Sequence, residues 1–321
     1  MKKINIIFKS INLQNFKLSV ILLIFSQFFL FSCESLIKEI DPSFLPETDS
    51  KLVVACFISP QDTVLAAKVT ETKLLIGTTG DIRDDITNAS VSLSDGSKTI
   101  QLIYNAKLGY YRALPSELPI LVGKTYKITV NTPDGRQVNA STTVPNNVAI
   151  KEVKIDSTTV NDFQQGNRVT NTEYDVKVIW QDKAGETNYY RAISEFIFLY
   201  RIVDSINKKV INVPVSAIVD LRTIDDKDTD GQLLSLNRTY LPTNIGGNIQ
   251  GQDSNLKTKL DKIKVGLFQT DIHYYNYHTS LRRQRENNNP FAEPVLLYTN
   301  INGGFGCFGA YNATWQEFKE K

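Results

Sequence analysis

The chain has 321 residues, of which 41% are hydrophobic and 22% charged, the balance of an ordinary globular protein. That length accommodates roughly two domains at about 150 residues each, and the composition excludes wholesale disorder, collagen and a multi-span membrane protein. The formal charge is +2, but four lysines and no acids precede Cys33, so the rest of the chain carries −2. A chain so nearly neutral has no global field to gather nucleic acid, and none is expected as a partner.

Residues 1–32 read as a signal peptide. Lys2, Lys3, Lys9 and Lys17 precede an apolar run from Leu18 to Phe31. A basic segment before a short apolar run is a secretory signal. A membrane span needs about 18 uninterrupted apolar residues, and this run is shorter and carries Ser19, Ser26 and Gln27. Leu30-Phe31-Ser32-Cys33 then resembles a bacterial lipobox, with an apolar residue at −3, a small one at −1 and the cysteine, although Phe31 is bulkier than usual. Several acyl chains on a cysteine hold a protein on a bilayer stably, at about 0.8 kcal/mol per buried methylene, where one chain is marginal. Cys33 is therefore the expected lipidation site. Glu34 is not the aspartate that retains many lipoproteins in the inner membrane, and the acid-leaning start Cys33–Asp41 resembles surface-export signals. The expectation is a lipid-anchored protein of the outer membrane, with the outer face favoured.

Residues 33–50, with Pro42 and Pro46, read as a tether. From Lys51 the period changes. Lys51–Ile58 and Thr63–Thr70 are β-branched, strand-length runs. Ala89–Ser94 alternates, Asp95-Gly96 turns it, and Lys98–Tyr104 returns, a strong hairpin pattern. Tyr126–Val130 and Val138–Val144 flank a second turn at Pro133-Asp134-Gly135. Short strands with a turn every 8–12 residues predict an immunoglobulin-like β-sandwich over residues 51–147, bounded by Pro145-Asn146-Asn147. Residues 148–321 predict a larger β-rich domain with one amphipathic helix, so the fold class is mostly β. Its strands are Glu173–Trp180, Asn188–Tyr200, Asp261–Phe268, Val295–Ile301 and Phe305–Tyr311. The helix runs from Asp271 to Arg285, with Tyr274, Tyr277, His278 and Leu281 on one face. Thr270 is its expected cap, Asp271 sits in the positive first turn, and Asn287–Pro290 stop it.

Several of these pieces coincide with a known pattern. The lipobox is followed closely by Lys51-Leu52-Val53-Val54. The first domain ends on Tyr126–Val130, Pro133–Arg136 and Ala140–Pro145. Then come Tyr274–Leu281, Pro290–Pro294 and the close Asn300-Ile-Asn-Gly-Gly-Phe-Gly-Cys-Phe-Gly-Ala-Tyr311. Together they resemble the domain-of-unknown-function 4249 family of bacterial outer-membrane lipoproteins over nearly the whole mature chain. That family's closing motif usually has an acid where Asn302 stands and a hydrophobic residue where Cys307 stands. The genes of the family often neighbour TonB-dependent outer-membrane receptors. The resemblance therefore implies an accessory envelope lipoprotein, with no established activity and no site residues.

Few residues point to chemistry. Gly304–Gly309 matches G-x-G-x-x-G, but dinucleotide binding needs that turn between a strand and a helix with an acid about 20 residues on, and only 12 residues follow Gly309. Packing is the better reading: the glycines admit close strands, and Phe305, Phe308 and Tyr311 cover the space. Asp226, Asp228, Asp230 and Gly231 match the opening of a calcium loop, yet position 12 is Asn237, so a solvated acidic turn is the preferred reading over a weak calcium site. His273 and His278, five apart, point about 140° from one another on a helix and make a poor metal pair. Cys56 and Cys307 sit among apolar residues and read as buried free thiols, though the compartment permits a bridge. Tyr189, Tyr190, Tyr274, Tyr275 and Tyr277 serve either a core or a binding platform, and Tyr275 is the best candidate for an exposed ring. No nucleophile motif marks either histidine, and a carboxylate-pair hydrolase needs no local motif. The expectation is a non-catalytic subunit without cofactor, bound to the membrane by its lipid and to an outer-membrane β-barrel transporter or its ligand. The alternative is a structural or assembly component of the envelope, in adhesion, secretion or motility machinery.

Overall fold

A computed structural model describes residues 50–72, 85–164, 167–203, 210–242, 259–287, 293 and 295–319. The signal peptide, Cys33, the tether up to Asp49 and most of Pro290–Pro294 lie outside the described residues. So does all of one of the chain's two compact units, Met1–Asp49 with Leu74–Gly80. The described residues are mostly β, with one helix.

The first strands are β1 (Leu52–Ile58), β2 (Leu65–Glu71), β3 (Ser90–Ser94), β4 (Thr99–Asn105), β5 (Tyr110–Ala113), β6 (Thr125–Asn131) and β7 (Gln137–Thr143). β1 alternates strictly between buried and half-buried residues, the period of a strand with one face on a core. Both sequence-read turns close hairpins. Asp95 takes the backbone N–H groups of Ser97 and Lys98 at 3.0 and 2.7 Å, between β3 and β4. The Thr132–Arg136 turn joins β6 to β7. β4 pairs with β3 through Thr99–Leu102 and with β5 through Ile103–Asn105. The change of partner folds the sheet around a core of Leu52, Val54, Ile58, Leu93, Tyr111, Tyr126 and Ile128. β5 was not expected, because four residues are too short to establish a period.

The remaining strands are longer: β8 (Ile150–Gln164), β9 (Asn167–Gln181), β10 (Tyr189–Val203), β11 (Val210–Asp225), β12 (Leu233–Tyr240), β13 (Lys259–Thr270) and β14 (Phe305–Lys319). β12, β9 and β8 form a three-stranded sheet, and an eleven-stranded sheet runs β11-β10-β13-β14-β1-β2-β5-β4-β3-β6-β7. A second core fills the space between the two, with Val176, Val178 and Trp180 of β9 against Tyr190, Phe196, Val265 and Leu267. Rings bridge the sheets, as in Trp180–Tyr190 at 5.2 Å and Tyr174–Phe196 at 5.5 Å.

β14 links the cores. Phe305–Ala310 pair parallel to β1, and Tyr311–Lys319 pair antiparallel to β13. The first core accordingly takes Ile301, Phe308 and Ala310 from the end of the chain. Helix α1 (Ile272–Glu286) lies on the outer face of this sheet. Its cap is Asp271, not Thr270: the Asp271 carboxylate accepts from Tyr274 N at 2.8 Å, while Thr270 ends β13. Asp271 wins because the same carboxylate also accepts from Ala310 N, at 3.2 Å, and from the Thr142 hydroxyl. Asn287 caps the other end as expected.

Val295–Ile301, read from sequence as a strand, pairs with no strand among the described residues. The Asn300 side chain stands in for one. Its amide donates to Phe308 O at 2.8 Å, and its oxygen accepts from Phe308 N at 3.0 Å. No described helix is long and apolar enough to cross a membrane.

Candidate functional site

The calcium-like run falls where β11 ends and turns toward β12. The structure brings Asp226 and Asp230 together with Asp182, from the turn after β9, and leaves Asp228 exposed outside the group. One oxygen from each of the three lies within 4.8 Å of the others, a spacing a hard cation can bridge. The preferred reading of a solvated turn holds for Asp228 and Asp230 but not for Asp226, which is 2% exposed, nor for its neighbour Asp182 at 4%.

Buried carboxylates need donors, and the chain supplies them. Asp182 accepts from the Tyr190 hydroxyl at 2.5 Å and from Gly231 N at 2.6 Å. Asp226 accepts from Asn188 N at 2.9 Å, and Gln269 Nε2 donates to Asn188 Oδ1 at 2.6 Å behind it. Asp230 accepts from Gly185 N at 2.9 Å. Gly231 has φ +68, and a Cβ there would meet Ala184 Cβ at 2.7 Å, so the two turns interlock only with glycine. Burial raises the Asp226 pKa, and the Asp182 charge adds to the rise. The cluster acts first as a knot that ties the turn after β9 to the turn after β11.

The tyrosine-rich helix was the second candidate. Its predicted face is real: Phe57 of β1 lies 5.3 Å from Tyr274, 5.8 Å from Tyr277 and 5.4 Å from His278, ring to ring. Arg191 enters this cluster from β10. It forks onto Asp220 at 3.2 Å through both Nε and Nη2, donates to the Tyr274 hydroxyl at 2.7 Å, and lies 3.4 Å from His278 Nδ1. Burial, then the Arg191 and Arg285 charges, hold the His278 pKa down to about 3, so its imidazole is neutral at physiological pH. His273 turns elsewhere, to the Tyr298 hydroxyl at 2.7 Å. Tyr275 is half-buried: its ring lies 4.8 Å from Tyr189 and its hydroxyl donates to Asp225 at 3.1 Å. It braces α1 against β10 and β11.

Cys56 and Cys307 are free and buried. Register explains why. Ala55 pairs with Cys307 and Cys56 with Phe308, so the two thiols face opposite sides of one sheet. Cys56 points into the first core, and Cys307 donates to His273 O under α1. The glycines of the closing motif are packing residues: a Cβ on Gly304 would lie 2.5 Å from Leu52 O, and one on Gly306 only 2.0 Å from Val54 O. Phe308 is buried in the first core, whereas Phe305 is exposed beneath Lys51 at 5.6 Å.

Sequence reasoning missed Asp182, Arg191 and Trp315. Asp182 opens an Asp-Lys-Ala-Gly turn after a strand, a signal for a turn but not for a carboxylate cluster. Trp315 occupies a solvent-phase position in the alternation of β14, and that phase was the available clue. The comparison with curated proteins gives no match. The model of the family described as a domain of unknown function (DUF4249) matches residues 37–317, and the chain belongs to that family.

Proposed function

We propose that the protein is a lipid-anchored subunit of the outer membrane, held by acyl chains on Cys33, that serves a TonB-dependent β-barrel transporter as a non-catalytic accessory. It binds the transporter or the transporter's ligand. The observation that carries the reading is the N-terminal sequence: basic residues, a short apolar run, then Leu30-Phe31-Ser32-Cys33. Family membership supports it, since the resemblance drew on envelope lipoproteins whose genes neighbour such receptors. The immunoglobulin-like description of residues 51–147 belongs to the same reading. Its support is the change of partners by β4, which wraps one core in short strands. The test is affinity purification of the tagged full chain from membranes in mild detergent, followed by mass spectrometry. The expected result is an acylated Cys33 and a co-purifying outer-membrane β-barrel. Recovery of the unacylated chain from the medium overturns the anchor. An acylated chain that co-purifies with adhesion, secretion or motility components, and no transporter, overturns the accessory role in favour of a structural one.

A further inference from the structure

On the outer face of β10, β13 and β14, past the residues that α1 covers, Trp315, Glu317 and Lys264 reach solvent. The side chains of this face stand in register across the three strands. One rung is Ile193, Gly266 and Trp315, and the next is Glu195, Lys264 and Glu317. Lys262 stands beyond them on β13 and pairs with Glu317 at 3.1 Å. Trp315 is 43% exposed, whereas Trp180, the other tryptophan, is fully buried.

Gly266 explains the pose of Trp315. A Cβ on Gly266 would lie 2.9 Å from the six-membered ring of the indole and 2.9 Å from the Phe268 ring. The indole therefore rests on the bare backbone of the neighbouring strand, an aromatic covering a strand glycine. Phe268 meets it edge-on at 5.5 Å and 64°. Behind Phe268 the rings continue through Tyr311 to Tyr274, at 5.2 and 5.5 Å, so the support reaches the helix. The indole is packed against Gly266 and Phe268 before any ligand arrives, which lowers the ordering cost of binding.

A shallow cavity of about 270 Å³ sits beside the ring, lined by Glu195, Lys264, Trp315, Gln316 and Glu317. It lies just below the roughly 300–1,000 Å³ typical of drug-sized ligands, the scale of one small ring. Lys264 stands 3.9 Å from Glu195, beyond hydrogen-bond distance, so this pair retains donors and acceptors for a ligand. Two carboxylates and two ammonium groups flank the ring and cancel in charge. That balance disfavours an anionic polymer, and the dense polar rim disfavours a purely apolar ligand. A fixed aromatic plane edged by donors and acceptors matches a neutral pyranose, which has an apolar C–H face and a hydroxylated edge.

We propose that this face is a saccharide subsite, in which a neutral sugar ring stacks on Trp315 and its hydroxyls bond to Glu195, Lys264 and Glu317. The inference deepens the binding-subunit reading and takes from it only that the protein captures a ligand. The test is titration of the full acylated chain, in a sugar-free polyoxyethylene detergent, with maltohexaose, laminarihexaose, cellohexaose, mannohexaose and xylohexaose. Binding is followed by calorimetry and tryptophan fluorescence. Because Trp180 is buried, a fluorescence change reports Trp315. At least one hexasaccharide is expected to bind and shift the emission. Trp315→Ala should weaken it about tenfold or more, and Trp315→Phe less. Trp315→Ala also uncovers Gly266, so Glu195→Gln with Lys264→Met is the second variant. It leaves the indole packed and should still lose several-fold in affinity at an unchanged Tm. No response to any of the five at 10 mM overturns the proposal, as does equal affinity in Trp315→Ala. Quenching by vesicles of brominated phosphatidylcholine without any saccharide response overturns it in favour of a membrane contact. None of these outcomes alters what co-purifies with the chain, so the transporter reading stands or falls separately.

Discussion

Gly306→Ala tests the seam between the two cores. Gly306 sits in β14 opposite Val54 of β1 with φ +105, and a Cβ there would lie 2.0 Å from Val54 O. Side chains at such φ values cost about 1–3 kcal/mol in strain alone. The clash adds to this, because the atom struck is backbone of a paired strand and cannot rotate away. Relief requires β1 and β14 to part by more than about 1 Å, which disrupts the ladder, and overpacking of this kind costs about 1–3 kcal/mol or more. The expected loss is therefore about 3–6 kcal/mol, a large share of the 5–15 kcal/mol typical of a folded protein. Two controls separate the components. Gly135 has φ +89 with nothing within 4 Å of its Cβ position, so Gly135→Ala should show strain only, about 1–2 kcal/mol. Gly309 has no such φ, but its Cβ would meet Tyr274 of α1 at 3.0 Å, so Gly309→Ala should fall between the two or match the lower. Urea unfolding at constant slope measures all three. If Gly306→Ala lies within 0.5 kcal/mol of Gly135→Ala, the close approach of the strands does not govern stability and the packing reading of the motif fails.

Burial pushes the Asp62 pKa up to about 6, against the opposing effects of the Ser59 N–H and the Tyr311 hydroxyl. The folded state then holds a proton that the unfolded carboxyl releases near pH 4, so this group's contribution to stability falls as pH rises from about 4 to 6. Asp62→Asn should gain on the wild type by an amount on the order of 1–2 kcal/mol between pH 4 and pH 7, read from paired denaturation curves; a flat difference contradicts the assignment. Tyr190→Phe removes a donor from the buried Asp182 and should cost about 1.5–3 kcal/mol by denaturation, whereas a loss below 0.5 would mean the knot is not closed by that bond. Since each acid of the knot already holds a protein donor, millimolar calcium should move the Tm by less than about 1 °C relative to chelator; a rise of several degrees that Asp182→Asn abolishes would show that the knot opens around an ion. Intact mass under non-reducing conditions should show no bridge between Cys56 and Cys307, and maleimide should label both only on unfolding, because burial raises both thiol pKa values.

The first core was legible because its strands carry one apolar face each and their turns use Asp95-Gly96 and Pro133-Asp134-Gly135. That period is local, and a single chain displays it. The longer strands were harder. β11 contains Pro214, which argues against a strand, and its tolerance follows from the place of β11 at the sheet edge, where it pairs with β10 alone and Pro214 stands opposite Leu199. Val295–Ile301 shows the reverse error. It is apolar and β-branched, yet Leu296 is 88% exposed, and Asn300 occupies the hydrogen bonds a strand would have made. The helix was read from its face, and its cap was misplaced by one residue because Thr270 and Asp271 both have capping side chains. Ala310 N and Thr142, which decide between them, are distant in sequence. The carboxylate knot was half visible for the same reason. Asp226 and Asp230 lie in one run, but Asp182 joins them through pairings of β9 with β12 and of β10 with β11, which no local period reveals.

These long-range pairings also position the residues of the proposed saccharide subsite. Alternate residues of β14 do different work: Phe308 and Ala310 fill the first core, Phe318 packs on the second, and Cys307, Gly309 and Tyr311 lie under the helix. Trp315 and Glu317 continue the same face of β14 and are exposed. The proposed saccharide subsite is thus the uncovered remainder of a packing surface, its indole held by the same ring ladder that seats α1. Rigidity at such a site comes from residues that never touch a ligand. A strand buried at one end and open at the other can present an aromatic plane without a mobile loop, so the proposed subsite needs no closure to order its ring.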